Sequence, residues 1–282
     1  MGDVGDVDAA EAYVLGFSEH EQHRLALQDR LFARFTRALL VEAGVGPGMS
    51  VLDVGAGVGD VSMLAAELVG AAGSVTGVER SGAYVRAARR RAADRGLAQI
   101  DFVEADLFDF APPRSYDAIV GRFILEWIPD PTAALRRLAG LLRPGGVLAF
   151  QDYDHPLREG QHSYPVAPFF ERVLAGCVDA LAANGLHRRM GAMLRGCFID
   201  AGLPAPALHV DAAIGGGPDW EAYAWLAAGA VSLAPHFADR GLAAELTDLE
   251  ALTERLRADV TAGSSVAQLA PLIGAWVRTP SG

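Results

Sequence analysis

The ten residues Val51-Leu52-Asp53-Val54-Gly55-Ala56-Gly57-Val58-Gly59-Asp60 constrain this 282-residue chain more than any other stretch. An apolar run of strand character enters a loop with glycine at three alternate positions, and a helix-forming segment starts at once. Glycines permit the tight turn and let a ligand touch the main chain, while a helix start presents unpaired N–H groups. Strand, glycine turn and helix in this order form the first unit of a parallel sheet that binds its ligand at the carboxyl ends of the strands.

The rest of the first half repeats that unit. Short apolar runs at 51–54, 74–78, 100–103, 118–120 and 147–150 alternate with helix-like segments at about 60–70, 82–95 and 132–142, the last closed by Arg143-Pro144-Gly145-Gly146. The pattern predicts an α/β fold, a doubly wound and mostly parallel sheet with helices on both faces. Upstream, Ser18-x-x-Glu21 reads as a capping box, and Leu25, Phe32, Phe35 and Leu39 recur at helical spacing, which predicts a helix over about 19–43. Beyond Asp152 the alternation weakens. Helices are expected at 168–184 and 189–201, a strand at 207–214, a helical stretch at 219–262 and a last strand at 272–277. A long helical excursion between two strands suggests an inserted cap. The expected organisation is therefore a tail and lid helix over 1–45 and a core over 46–282, with a helical cap at about 218–263.

Two more acids follow the glycine loop. Glu79 closes the second strand, where a carboxylate can accept from both hydroxyls of a ribose, and Asp106 follows the third. The nicotinamide fingerprint G-x-G-x-x-G would need its third glycine at position 60, and Asp60 stands there. Asp53, at the end of the first strand, suits an ammonium group better than a pyrophosphate. Three acids at the ends of three consecutive strands suit a cationic, phosphate-free adenosine derivative.

Together with the block Tyr116-Asp117-Ala118-Ile119-Val120 through Leu141-Leu142-Arg143-Pro144-Gly145-Gly146, these residues resemble the class I S-adenosylmethionine-dependent methyltransferases of small-molecule type. The resemblance covers about residues 18–152. It implies a Rossmann-like seven-stranded sheet whose last strand is antiparallel, with S-adenosyl-L-methionine as cofactor and S-adenosyl-L-homocysteine as product. By position, it puts Gly55, Gly57 and Gly59 against the methionine portion and Asp53 at its amino group. Glu79 would hold the ribose, Arg80 would lie beside the adenine, and Asp106 with the Leu107 N–H would bond its ring. Gly121 and Arg122 would sit near the methionine carboxylate or amino group, and Tyr13 would close over the cofactor.

A general base, if used, should stand at the carboxyl ends of strands four and five, where Glu126, Asp152, Tyr153 and His155 are found. His155 is the first choice, because an unperturbed imidazole titrates near neutral pH. Metal assistance is disfavoured, since Asp152 and Asp154 lack an Asp-Asn continuation. His20, His23, His187, His209 and His236 read as surface residues of helices or strands.

Charge and composition narrow the acceptor. With 24 Lys plus Arg against 35 Asp plus Glu, the net charge is −11, which repels nucleic acid and anionic membranes. The run Arg89-Arg90-Arg91 reads as a solvated helix face. Cys177 and Cys197 are too few for a disulfide framework and read as small buried apolar residues. The acidic start of the chain has no signal-peptide pattern, and no apolar run is long enough to span a bilayer, so a cytoplasmic protein is expected. Trp220, Tyr223, Trp225 and Phe237, with Phe169 and Phe170, are candidates for an apolar pocket. The expected reaction is methylation of a small organic molecule, at oxygen first and with nitrogen or carbon open. Ala-rich, Arg-for-Lys composition suggests bacterial secondary metabolism. Two alternatives stay open: a protein of the same fold using the cofactor for a cyclisation or rearrangement, and an NAD-dependent oxidoreductase, which Asp60 and Asp106 oppose. A homo-oligomer stays open.

Overall fold

The computed structural model describes residues 19–112, 115–155, 162–237 and 245–281. Tyr13 and the capping Ser18 lie outside the described residues. The first helix, α1, spans Glu19–Glu42. The alternating units then appear in order: β1 (Ser50–Val54), α2 (Asp60–Val69), β2 (Ser74–Glu79), α3 (Gly82–Asp94), β3 (Ile100–Glu104), β4 (Tyr116–Arg122), α4 (Pro131–Ala139) and β5 (Leu142–Tyr153). The second half holds β6 (Ser163–Tyr164), α5 (Pro168–Ala183), α6 (Met190–Asp200), β7 (Ala207–Asp211), β8 (Ile214–Gly215), α7 (Ala222–Leu233), α8 (Leu249–Ala262), β9 (Val266–Gln268) and β10 (Leu272–Arg278).

Seven strands form one sheet in the order β3-β2-β1-β4-β5-β10-β7. All neighbouring pairs are parallel except those of β10, which runs antiparallel to both β5 and β7. The chain order reverses between β1 and β4, and such a switch point opens a crevice at the strands' carboxyl ends. Burial on both faces explains the uninterrupted apolar runs, because successive side chains of one strand serve opposite layers. Val51, Val75, Ala118, Val147 and Ala149 pack with Leu39, Leu40 and the α2 residues Val61, Ala65 and Val69. Leu52, Val54, Ile119, Leu148 and Phe150 pack with α4 and α6 on the other side.

Several boundaries differ from the sequence reading. α4 ends at Ala139, since Leu142 already pairs with Tyr116 and extends β5 well upstream of 147. The single strand expected at 207–214 is two, with β7 at the edge of the large sheet and β8 in a second sheet of order β6-β9-β8. Strands of two or three residues are too short to show a period of two, so β6, β8 and β9 leave no sequence signal. The helical stretch at 219–262 contains α7 and α8. Asp248 caps α8 by accepting the Ala251 N–H at 3.0 Å. α7 packs on α1, α5 and α8, and these four helices enclose their own apolar core. No helix among the described residues is long and apolar enough to cross a membrane.

Candidate functional site

One continuous cavity of about 680 Å³ lies between the carboxyl ends of β1, β2, β4 and β5 and the helices α1, α5 and α7. Its first half is built on the glycine loop. The Gly55 and Ala56 N–H groups donate to Val78 O, tying the loop to β2 at 2.9 and 3.0 Å. Gly57 has a φ of 52°, and a Cβ there would meet no atom within 4 Å, so the loop opens onto the cavity at this point. Gly59 differs: its φ is 88°, and a Cβ would stand 2.8 Å from the Phe102 ring. It serves the turn into α2 and is not on the wall.

Glu79 extends from β2 to span the loop, one carboxylate oxygen accepting the Gly57 N–H at 3.1 Å and the other the Ser81 N–H at 2.9 Å. Arg80 and Leu107 are on the wall beside it, as is Asp106, which accepts the Phe108 N–H at 2.7 Å. Arg122, at the end of β4, is buried. It donates to the Thr36 hydroxyl at 3.0 Å, and that hydroxyl donates to Gln151 Oε1 at 2.9 Å.

The first acid of the loop is not where the resemblance puts it. Asp53 lies behind the loop, accepts the Ser62 hydroxyl at 2.6 Å and does not line the cavity. Burial pushes its carboxyl up to about 7. The carboxylate that the glycine loop itself puts on the wall is Asp60, 3.8 Å from Arg122 and bonded by Arg91 at 2.6 Å. The sequence reading used Asp60 only as a missing glycine. Arg91 likewise leaves the supposed solvated face and bonds both Asp60 and Val58 O.

The second half of the cavity faces the cap. Leu174, Cys177, Val178 and Leu181 of α5, together with Trp225, Leu226 and Leu233 of α7, make it apolar. Arg24 and Gln28 of α1, Asn184 and His236 add polar groups that sequence reasoning missed. Arg24 grips both oxygens of Glu21 at 2.7 Å and donates to Gln28 at 2.7 Å. An arginine and a glutamine one helical turn apart carry no local sign that they meet a cavity. Of the aromatic pocket candidates only Trp225 reaches the wall. Phe169, Phe170 and Tyr223 are buried in the cap core, where Trp220 packs on Phe170 and Tyr223, and Phe237 lies against Gly176.

At the junction of the two halves stand Glu126, Tyr153 and His155. Glu126 belongs to a turn of 3₁₀ helix, Leu125–Trp127, placed directly after β4. Tyr153 stacks on Phe123 at 4.5 Å between ring centres. Asp152 points away from the cavity and accepts the Glu126 N–H at 3.2 Å. Burial pushes the Asp152 carboxyl up to about 7, and burial with the adjacent Asp152 holds Glu126 well above the usual carboxylate range. Gly121 is also off the wall, because its Cα packs between Phe150 and Ile124.

His155 is buried, not a surface loop residue. Burial, followed by the neighbouring His162 and Arg188, pushes its imidazole down to about 3. A base whose conjugate acid is that strong takes a proton poorly near neutral pH, which counts against the first choice of general base. The ring is expected to stay neutral from pH 8 to 5, and a midpoint near 6.5 in an NMR titration of its ring protons would contradict this environment.

A family model described as a methyltransferase domain matches residues 46–191. The ubiquinone/menaquinone biosynthesis C-methyltransferase UbiE of Cellvibrio japonicus is 30% identical over 191 residues, 64% of this chain and 76% of its own length. Nocamycin O-methyltransferase of Saccharothrix syringae is 33% identical over 166 residues, 58% of each chain. Among solved structures, the Bacillus halodurans protein BH2331 superposes with a TM-score of 0.57 at 18% identity, over 87% of this chain and 98% of that one, a likeness of fold. With a family model across more than half of the sequence and a relative aligned along three quarters of its own length, this chain belongs to the class I S-adenosylmethionine-dependent methyltransferases.

Proposed function

We propose that the enzyme transfers the methyl group of S-adenosylmethionine to an oxygen of a small, largely apolar organic molecule of bacterial secondary metabolism. The observation that carries this reading is the single cavity with a polar, glycine-lined half and an apolar half under the cap. The residues of the first half fit the cofactor. Gly57 leaves room for close approach to the main chain, and Asp60 beside Arg122 offers opposite charges to an amino and a carboxylate group. Glu79 would hold the ribose, with Arg80, Asp106 and Leu107 around the adenine. When bound, the cofactor supplies a methyl group already activated by its sulfonium.

What remains for the chain is to align the acceptor and exclude water. The cap and α1 close the apolar half, and alignment of this kind is worth about 7 kcal/mol of the barrier. Oxygen is proposed because one relative is named an O-methyltransferase, although another is named a C-methyltransferase. Titration calorimetry of the purified protein with S-adenosylmethionine, S-adenosylhomocysteine and NADH tests the cofactor, with binding of the first two and not the third expected.

Glu79→Ala should weaken S-adenosylhomocysteine by tenfold or more, since a hydrogen bond to a charged group is worth about 1.5–3 kcal/mol. Equal affinity in wild type and variant would remove Glu79 from the ribose site.

A further inference from the structure

Glu126 and Asp152 form a buried carboxyl pair to which no salt bridge runs among the described residues. They are 4% and 0% exposed, and they sit on adjacent structural elements, the turn after β4 and the end of β5. The backbone locks them together: the Glu126 N–H donates to Asp152 Oδ1 and the Tyr153 N–H donates to Glu126 Oε2, both at 3.2 Å. Glu126 reaches the cavity wall, while Asp152 stands behind it with Oδ2 lacking any hydrogen-bond partner among the described residues.

The charged and titratable groups around the pair do not neutralise it. Arg24 of α1 is bonded to Glu21, and Arg122 of β4 faces Asp60 and Thr36. On β5 the Tyr153 phenol is raised by burial, and the adjacent His155 is held neutral. On α5 burial pushes the Cys177 thiol up to about 12, so it too is uncharged. His236 lines the far side, and Gly191 of α6 lies against the Asp152 backbone. Two neighbouring carboxyl groups in such a site cannot both ionise readily, so each holds a proton more tightly than it would in water.

We propose that Glu126 is the general base of this enzyme, with Asp152 as its proton-sharing partner, and that the acceptor is a protic oxygen, a phenol or an enol. The inference rests on the methyl-transfer reading above. With the pair's one proton on Asp152, whose Oδ2 has no other hydrogen-bond partner among the described residues, the Glu126 carboxylate takes the acceptor's O–H proton as an oxygen electron pair closes on the methyl carbon, and the pair of the broken carbon–sulfur bond stays on sulfur. The balance favours a dry site. Before the step, one sulfonium charge faces one negative charge on the pair. After it, the thioether, the ether and the doubly protonated pair are all neutral.

The pair can be tested in the free protein. A buried protonated carboxyl shows its own infrared C=O band. Asp152 raises the proton affinity of Glu126, so Asp152→Asn should move the titration of this band to lower pH. An unchanged midpoint would overturn the shared proton. Glu126→Gln keeps the shape of the site and should bind S-adenosylhomocysteine within twofold of wild type. With a panel of simple phenols and 1,3-diketones as acceptors, the same variant should lose about 10²-fold or more in rate. A rate within threefold of wild type overturns Glu126 as base. Wild-type turnover of a matched amine panel alone, or of neither panel, overturns the oxygen acceptor. Failure of wild type to bind S-adenosylhomocysteine would instead overturn the methyl-transfer reading.

Discussion

Phe32→Ala is expected to cost about 3–5 kcal/mol of folding stability, the range for emptying a fully buried aromatic site. Phe32 is where α1 meets the ends of β4 and β5 and α7. Its ring lies edge-on to Phe123 at 5.7 Å, Tyr153 at 5.9 Å and Trp225 at 5.7 Å, and tilted against Phe35 at 6.5 Å. Those partners come from the end of β4, the end of β5, α7 and α1, so no single element can move to fill the void. Each aromatic pair adds about 0.5–1.5 kcal/mol beyond its buried area. Phe123, Tyr153 and Trp225 line the cavity and Phe32 does not, so the variant also loosens the walls without touching a ligand. Urea unfolding reads the effect as a lower midpoint at unchanged slope. A loss under about 1 kcal/mol would mean that α1 collapses onto the gap and is not pinned there.

Stability is expected to fall as pH rises through neutrality, and Asp53 supplies a measurable share. Its carboxyl is raised from 3.8 to about 7 by burial. The folded state therefore keeps a proton that the unfolded chain releases, and the stabilisation is complete below about pH 4 and gone above about pH 7. Three pH units of difference correspond to about 4 kcal/mol, of which about 3 kcal/mol disappears between pH 5 and 8. Asp152 and Glu126 are raised too and act in the same direction. Asp53→Asn can still accept the Ser62 hydroxyl but has no charge to bury, so its stability should be flatter across this range and exceed wild type at pH 8. Denaturant midpoints for both proteins at pH 5, 6.5 and 8 decide the matter. Parallel curves would show that Asp53 ionises inside the fold at little cost.

The core strands were legible because β1, β4 and β5 are buried on both faces and read as unbroken apolar runs. Residues at strand ends were legible for a related reason. A parallel sheet aligns those ends, so Glu79, Arg80, Asp106, Leu107, Arg122 and Glu126 all reach one cavity. Direction within a loop was not legible. Gly59 belongs to the right segment yet faces Phe102, because the turn decides which side each residue presents, and Asp53, still on β1, faces Ser62 while its neighbour Val54 lines the cavity. Asp152 fails in the same way, one residue before a wall residue on a strand whose side chains alternate. The burial of His155 depends on groups distant in sequence, Arg188 among them, and no local pattern announces it. The apolar wall of the cavity was hardest to read, because aromatics at helical spacing serve the cap core as readily as a pocket.

β10 is the last of the seven strands to be synthesised, yet it lies between β5 and β7. Until residues 272–278 leave the ribosome, β5 presents a bare edge and β7 has no sheet to join. Unpaired edges invite pairing with other chains, and long-range pairing is slow to form. The helices of the cap precede β10 in the chain, so they emerge while that edge is still open. Completion of the seven-stranded sheet therefore waits on β10, whose pairing both covers the β5 edge and brings β7 into the sheet.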